Sequence, residues 1–343
     1  SVNKSTYKII ESILNKLFDF LKEKYWIKFS SFLSKKICIT NIGFTGEEGQ
    51  LKAAIIYKNI QFFDNNVRTY GHDMTINSTL ILSSLLNEGF CVDIYHDHGN
   101  DLIKKDYDLM IGCGEIWRKT RKTAKLKKIL WLMEPIPEKN RKVFGRLPIP
   151  EYVKSYLGKE KMNMMNRIGF YYKDSDVRDA DAVFYNGEKN LKDFANKSKG
   201  KNFLIDLTGL PLKNGLIPNQ NSKGFLWFGG NGGWTRKGLD YVLLAFKDGD
   251  IGEIDICGPK LNDLPPSLRI KNANLLGSVD VDSDIYKKLI QKNRFSILLS
   301  RSEGLPTSII TTMKSGLIPV ISDYCGSNFG DLAVVIKDNE FKK

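Results

Sequence analysis

Apolar and polar positions alternate in two rhythms along this chain. Short apolar runs of strand type recur from residue 51: "AAIIYK", "CVDIYH", "YDLMIGCG", "KKILWLMEP", "DADAVFYNG" and "KNFLIDL". Each ends in a turn or a polar residue. Between the first two lies "MTINSTLILSSLLNEGF", whose apolar residues return at helical spacing and stop before Gly89. Strand, loop, helix and strand in repetition predict a parallel sheet covered by helices on both faces. The rhythm pauses over 207–224, "LTGLPLKNGLIPNQNSKG", where Gly, Pro and Asn cluster as in a linker. It then resumes with "FLWFGG", "LDYVLLAF", "EIDICGP", "ANLLGSV", "IYKKLIQKN", "FSILLS", "PTSIITTMKSG" and "IPVIS". In "LDYVLLAF" the residues Leu239, Val242, Leu243 and Phe246 share one helical face. The fold class expected is α/β, with two doubly wound domains. The length, 343 residues, suits two domains at roughly 100–200 residues each.

Residues 1–37 follow a different pattern. Ile9, Ile10, Ile13, Leu14, Leu17 and Leu21 make one helical stripe, continued by Tyr25, Trp26, Phe29, Phe32 and Leu33. Eight lysines accompany them, against Glu11, Asp19 and Glu23. A basic amphipathic helix with aromatic residues suits an anionic membrane surface, and equally suits docking on the body of the protein. The expected organisation is 1–37 as this helical segment, 38–212 as a first α/β domain and 213–343 as a second. The whole chain carries a formal charge of +13, which favours anionic partners without choosing among them. No nucleic-acid-binding signature, repeat, cleavable signal or spanning run of about 20 apolar residues is present. The five cysteines are scattered through apolar runs with no CxxC pair, which predicts reduced, buried thiols in a cytoplasmic protein.

Two loops at predicted strand ends carry the chemistry. In "FGGNGGWTRKG", 228–238, Gly229, Gly230, Gly232 and Gly233 follow a strand and Arg236 and Lys237 precede a helix. Glycines allow close backbone approach, and a helix start with two cations suits a phosphate or diphosphate. In "SRSEGLPTSII" an acid, Glu303, is followed by Gly304, Leu305, Pro306 and Thr307. Pro306 suits the first position of a helix. A carboxylate there accepts hydrogen bonds from neutral hydroxyls, while the helix start serves phosphate. The plainer readings are a solvated surface turn for the first loop and a dipole-stabilising Glu for the second.

Taken in order, "FGGNGGWTRKGLDYVLLAF", "IDICGP", "NLLGSV" and "LLSRSEGLPTSIITTMKSGLIPVIS" resemble the donor-binding half of a GT-B-fold glycosyltransferase. The family is the large retaining group 1 family, which includes bacterial lipopolysaccharide and capsule enzymes. The resemblance covers about residues 225–325. It implies two Rossmann-like domains facing across a cleft, a nucleotide-diphosphate sugar as co-substrate, and no other cofactor or metal. Arg236 and Lys237 would hold the diphosphate. Glu303 would bind the transferred sugar. Gly304, Leu305, Pro306 and Thr307 would line sugar and phosphate, beside Gly229, Gly230, Gly258 and Pro259. The family often has a second Glu eight residues after the first, gripping the ribose; here that position is Thr311. The family's usual Arg in the first glycine loop is also missing, with Gly230 near its place. The chain stops at Lys343, short of the terminal helices that commonly close the fold; a truncated second domain is expected.

In the first half, His72 in "RTYGHDMTINSTL" sits at a helix start, where it can orient or deprotonate an acceptor hydroxyl. Glu115, Glu134 and Asn186 follow predicted strands. His96 and His98 are two apart, without a third ligand, so no metal site is expected. The reading is a glycosyltransferase of cell-surface polysaccharide synthesis. Its acceptor is a glycan or lipid-linked sugar, and it is cytoplasmic and peripheral on the inner membrane face. The alternatives are a catalytically silent relative that binds glycan or nucleotide, and a basic nucleic-acid or membrane-binding module. A lone acid in the site speaks against the nucleic-acid reading, since it repels a phosphate backbone.

Overall fold

The computed structural model describes residues 38–57, 73–96, 106–120, 122–133, 149–166, 172–206, 209, 218–219, 221–230, 233–249, 251–327 and 329–337. Residues 1–37, His72, His98 and Glu134 lie outside that set, as does the expected domain boundary at 212/213. The chain divides into two compact units. One comprises 1–131, 174–184 and 197–201; the other comprises 132–173, 185–196 and 202–343. Among the described residues no helix is long and apolar enough to cross a membrane.

The first half holds strands β1 (Ile39–Ile42), β2 (Lys52–Ile56), β3 (Cys91–Tyr95), β4 (Leu109–Gly112), β5 (Lys127–Leu132), β6 (Ala182–Asn186) and β7 (Lys201–Ile205). Its helices are α1 (Asp73–Asn87), α2 (Gly114–Lys119), α3 (Glu151–Asn166), α4 (Asp174–Asp179) and α5 (Glu188–Phe194). The strands form one sheet in the order β1-β3-β2-β4-β5-β6-β7. Pairs β3–β2, β2–β4 and β4–β5 are parallel, while β1 is antiparallel to β3. Every strand predicted from the apolar runs is present. Strand β1 and helix α3 are additions that the sequence pattern did not announce. In α3 the helix breaks at Gly158, which has φ 68°.

The second half holds β8 (Gly224–Phe228), α6 (Leu239–Asp248), β9 (Ile254–Cys257), β10 (Ala273–Gly277), α7 (Asp284–Lys292), β11 (Asn293–Leu298), α8 (Thr307–Lys314), β12 (Ile318–Ser322) and β13 (Val334–Ile336). Its sheet is parallel throughout, in the order β10-β9-β8-β11-β12-β13. Strand β9 is buried at all four residues, as expected of a strand covered on both faces. On α6 the residues Leu239, Val242, Leu243 and Phe246 are all buried, as their spacing predicts. They join Trp227, Ile254, Ile256, Leu298, Ile309 and Ile321 in one core. Each such side chain contributes about 1.5–3 kcal/mol by leaving water.

From β8 the chain builds outward through β9 and β10, then returns to start the other flank at β11. The connections reverse direction between β8 and β11, which leaves a crevice at the carboxyl ends of these two strands. Gly238 sits at that point with φ 69°, just before α6. A Cβ there would lie 1.7 Å from the Leu299 carbonyl oxygen, so only glycine lets the turn meet the end of β11. Gly238→Ala is expected to lose about 2–5 kcal/mol, combining left-handed strain with overpacking. Gly230→Ala is the comparison, since Gly230 has φ 74° but open space around its missing Cβ; about 1–2 kcal/mol is expected there. Urea unfolding compares the two, and equal midpoints would refute the close approach.

Candidate functional site

Two loops leave the switch point side by side. After β8, Gly229 and Gly230 lead to a turn, Trp234–Gly238, that ends at α6. After β11, residues Leu299–Pro306 lead into α8. The helix begins at Thr307, one residue later than the proline pattern suggests, and Pro306 takes the cap position.

The glycines do specific work. Gly229 is buried against the ring of Trp227, which a Cβ would strike at 2.0 Å. Gly230 donates its N–H to the Cys257 carbonyl (3.2 Å). Gly258, with φ 139°, lies so close that a Cβ would come within 2.2 Å of the Gly230 oxygen. Gly258 also donates to the Gly277 carbonyl at 2.7 Å. Thus Gly229, Gly230 and Gly258, distant in sequence, form one backbone floor, with Pro259 buried in the turn beside it.

The cations sit above this floor. Lys237 Nζ donates to the Gly229 carbonyl at 2.6 Å. Arg236 is buried; its Nη1 donates to the Ser302 carbonyl at 2.8 Å and lies 2.9 Å from Glu303 Oε1. The acid of the second loop is therefore paired with a cation of the first. Glu303 is itself buried, and its N–H donates to the Tyr324 carbonyl at 3.2 Å. Gly304 is held from the other side: a Cβ at Gly326 would fall 1.1 Å from the Gly304 oxygen. Leu305 and Thr307 are half-buried along the same edge.

Thr311 stands apart from this group. Its hydroxyl is turned back along α8 to the Thr307 carbonyl (2.9 Å), and the residue is buried. Gly209 covers it, close enough that a Cβ on Gly209 would lie 3.0 Å from the Thr311 nitrogen.

Sequence reasoning missed the deepest charges of the site. Arg301 is fully buried and forks onto Asp240, with Nη1–Oδ1 at 2.8 Å and Nη2–Oδ2 at 2.6 Å. Its Nη1 also donates to the Thr235 carbonyl, and its guanidinium lies 4.3 Å from the Tyr241 ring centroid. Burial works against the Arg301 charge, but the bonds to Asp240 outweigh it and hold the guanidinium above its usual range. Nothing in the spacing links these residues; in "SRSEG" an arginine reads as one more solvated cation. Cys325 is buried near the acid loop, and its thiol is pushed up to about 12 by burial first and by the Glu303 charge second. Burial likewise holds Cys257 at about 12. Both thiols stay protonated near neutrality, so neither offers a thiolate nucleophile.

In the first half, Glu115 is exposed on α2 and pairs with Lys119 at 2.7 Å. Asn186 is buried at the end of β6, and its carbonyl accepts from Asn190 Nδ2 at 2.9 Å. His96 is buried after β3.

No protein-family model and no curated protein sequence matches this chain. Solved structures do. Sucrose-phosphate synthase from Thermosynechococcus elongatus superposes with a TM-score of 0.55 at 12% identity, covering 85% of this chain and 87% of that one. WaaG, a glycosyltransferase involved in lipopolysaccharide biosynthesis, gives a TM-score of 0.51 at 12% identity, covering 85% and 88%. The fold is GT-B. At this identity the likeness is one of architecture, and the chemistry has to be argued from the residues of this GT-B chain itself.

Breaking the buried pair in this fold leaves an uncompensated charge. Arg301→Ala is expected to cost about 3–5 kcal/mol, read from urea unfolding. A loss below about 1 kcal/mol would mean that the pair is solvated in solution.

Proposed function

We propose that this chain is a glycosyltransferase that moves a sugar from a nucleotide-diphosphate donor to a glycan or lipid-linked acceptor. The observation that carries this reading is the pairing of Arg236 with Glu303, with Lys237 on the Gly229 carbonyl of the glycine turn, at the switch point between β8 and β11. Cations beside backbone donors suit a diphosphate, and a carboxylate next to them suits the hydroxyls of a neutral sugar. The GT-B architecture agrees with it, and so does the motif series.

In this reading the bond between the sugar's anomeric carbon and the diphosphate oxygen breaks while the acceptor oxygen bonds to that carbon; the acceptor hydroxyl gives up its proton, the nucleoside diphosphate leaves, and negative charge gathers on its departing oxygen. Lys237 and Arg236 stabilise that charge. Glu303 accepts hydrogen bonds from the sugar and holds it in place. His72 orients or deprotonates the acceptor hydroxyl. Retention of configuration and independence of metal come from the motif resemblance. The apolar stripe and eight lysines of the sequence 1–37 support an acceptor presented at an anionic membrane surface, as in cell-surface polysaccharide synthesis.

Thr311 favours a second reading. With its hydroxyl committed to Thr307, position 311 supplies no carboxylate to a ribose. A catalytically silent GT-B relative that binds nucleotide or glycan fits this feature.

A thermal-shift screen against UDP, GDP, ADP, CDP and dTDP and their sugar conjugates, with and without magnesium, separates these readings. Stabilisation by one nucleotide family, with slow donor hydrolysis, is expected for the enzyme. Binding without turnover would favour the silent relative, and silence across the panel would count against both. Lys237→Ala is expected to weaken diphosphate binding at least tenfold, about 1.4 kcal/mol. Glu303→Gln is expected to spare free nucleotide and weaken the sugar conjugate. Unchanged calorimetric affinities in both variants would remove these residues from the site.

A further inference from the structure

The two loops of the site exchange arginines. The turn after β8 sends the Arg236 side chain to Ser302 and Glu303 in the loop after β11. That loop sends Arg301 back to Thr235 and to Asp240 on α6. The backbones are tied as well: the Arg301 N–H donates to the Arg236 carbonyl at 2.7 Å, and Ser300 Oγ donates to the same oxygen at 3.1 Å. Ser322 Oγ in turn holds the Ser300 carbonyl.

Stability alone is a poor reason to keep such a pair. A buried ion pair can often be replaced by apolar residues of similar volume with no loss of stability, because desolvation consumes most of the attraction. What the fork adds is direction. Two parallel N–H···O bonds, a third to Thr235 and a stacked tyrosine fix the rotation of Arg301, and with it the two residues that follow. An apolar pair in the same space would let the loop slide. Small displacements matter in a site built on hydrogen bonds.

We propose that Arg301 is a positioning residue: through its fork onto Asp240 it sets Glu303 and Arg236 in place for a sugar-nucleotide donor without touching the donor itself. The proposal rests on the reading of this site as a donor site.

The test uses the full chain carrying Arg301→Met together with Asp240→Leu, an apolar pair that removes both charges. Its thermal midpoint is expected to stay within a few degrees of the parent. Its affinity for the sugar conjugate found in the nucleotide screen is expected to fall at least tenfold, with a smaller fall for the free nucleotide. Wild-type affinity for the conjugate in this folded variant would overturn the proposal. Arg301→Lys keeps the charge but loses the fork, and it serves if the double variant does not fold. It too is expected to lose at least tenfold, and unchanged affinity again overturns the idea.

A second readout needs no donor. In protein with ¹⁵N-labelled arginine, the Arg236 Nε–H signal, assigned by its loss in Arg236→Lys, is expected to exchange slowly in the parent. It is expected to exchange at least tenfold faster in the variant. If no donor is found, the donor-site reading fails while this measurement still decides the positioning: an unchanged Arg236 signal in the variant refutes it.

Discussion

The arrangement of the second sheet depends on a single junction, where the turn after β8 meets the end of β11. There the chain reverses its direction of travel across the sheet, and connections leave the two strand ends toward opposite flanks. Gly238 lets the backbones touch at Leu299, and the Arg301–Asp240 fork locks the contact from below. A fully desolvated pair of this kind tolerates little misplacement, since each charge depends on the other. Arg236 and Glu303 pair in the same stretch, one residue after Thr235 and two after Arg301.

The charge balance of the chain is reconciled at the same point. A strongly basic protein attracts a sugar-phosphate as it attracts any polyanion, so net charge alone selects nothing. What the fold adds is one acid placed among the cations. Glu303 is paired with Arg236 and backed by the Tyr324 carbonyl contact of its own N–H. Cation and carboxylate therefore lie 2.9 Å apart at this loop. The neighbouring thiols of Cys257 and Cys325 are held up to about 12, chiefly by burial.

Much of this was readable in advance where the signal is local. The apolar runs "AAIIYK", "CVDIYH" and "FSILLS" announce strands because a strand covered on both faces must be apolar throughout. The face of Leu239, Val242, Leu243 and Phe246 announces α6 because its period is that of a helix. Strand β1 escaped because "ICITNI" is short, half-exposed and interrupted by Asn41. Helix α3 escaped because its sequence, EYVKSYLGKEKMNMMN, has a glycine at its middle. That the loops of Arg236, Lys237 and Glu303 fall at strand ends was legible, because each follows an apolar run and opens a helix; that Arg236 pairs with Glu303 was not.

Thus the sequence by itself determined the α/β class, the alternation of elements and the place of the two polar loops at the ends of β8 and β11. These are consequences of spacing between near neighbours, and spacing is written along the chain. The tertiary structure alone decided that Glu303 meets Arg236, that Thr311 turns its hydroxyl to its own helix, and that Arg301 is a buried tether and not a surface cation. Asp240 and Arg301 are separated by 61 positions, and no local preference of either residue specifies the other. Their pairing arises only when sheet order brings β8 beside β11, because the strength of a buried charge contact depends on distance and desolvation in space.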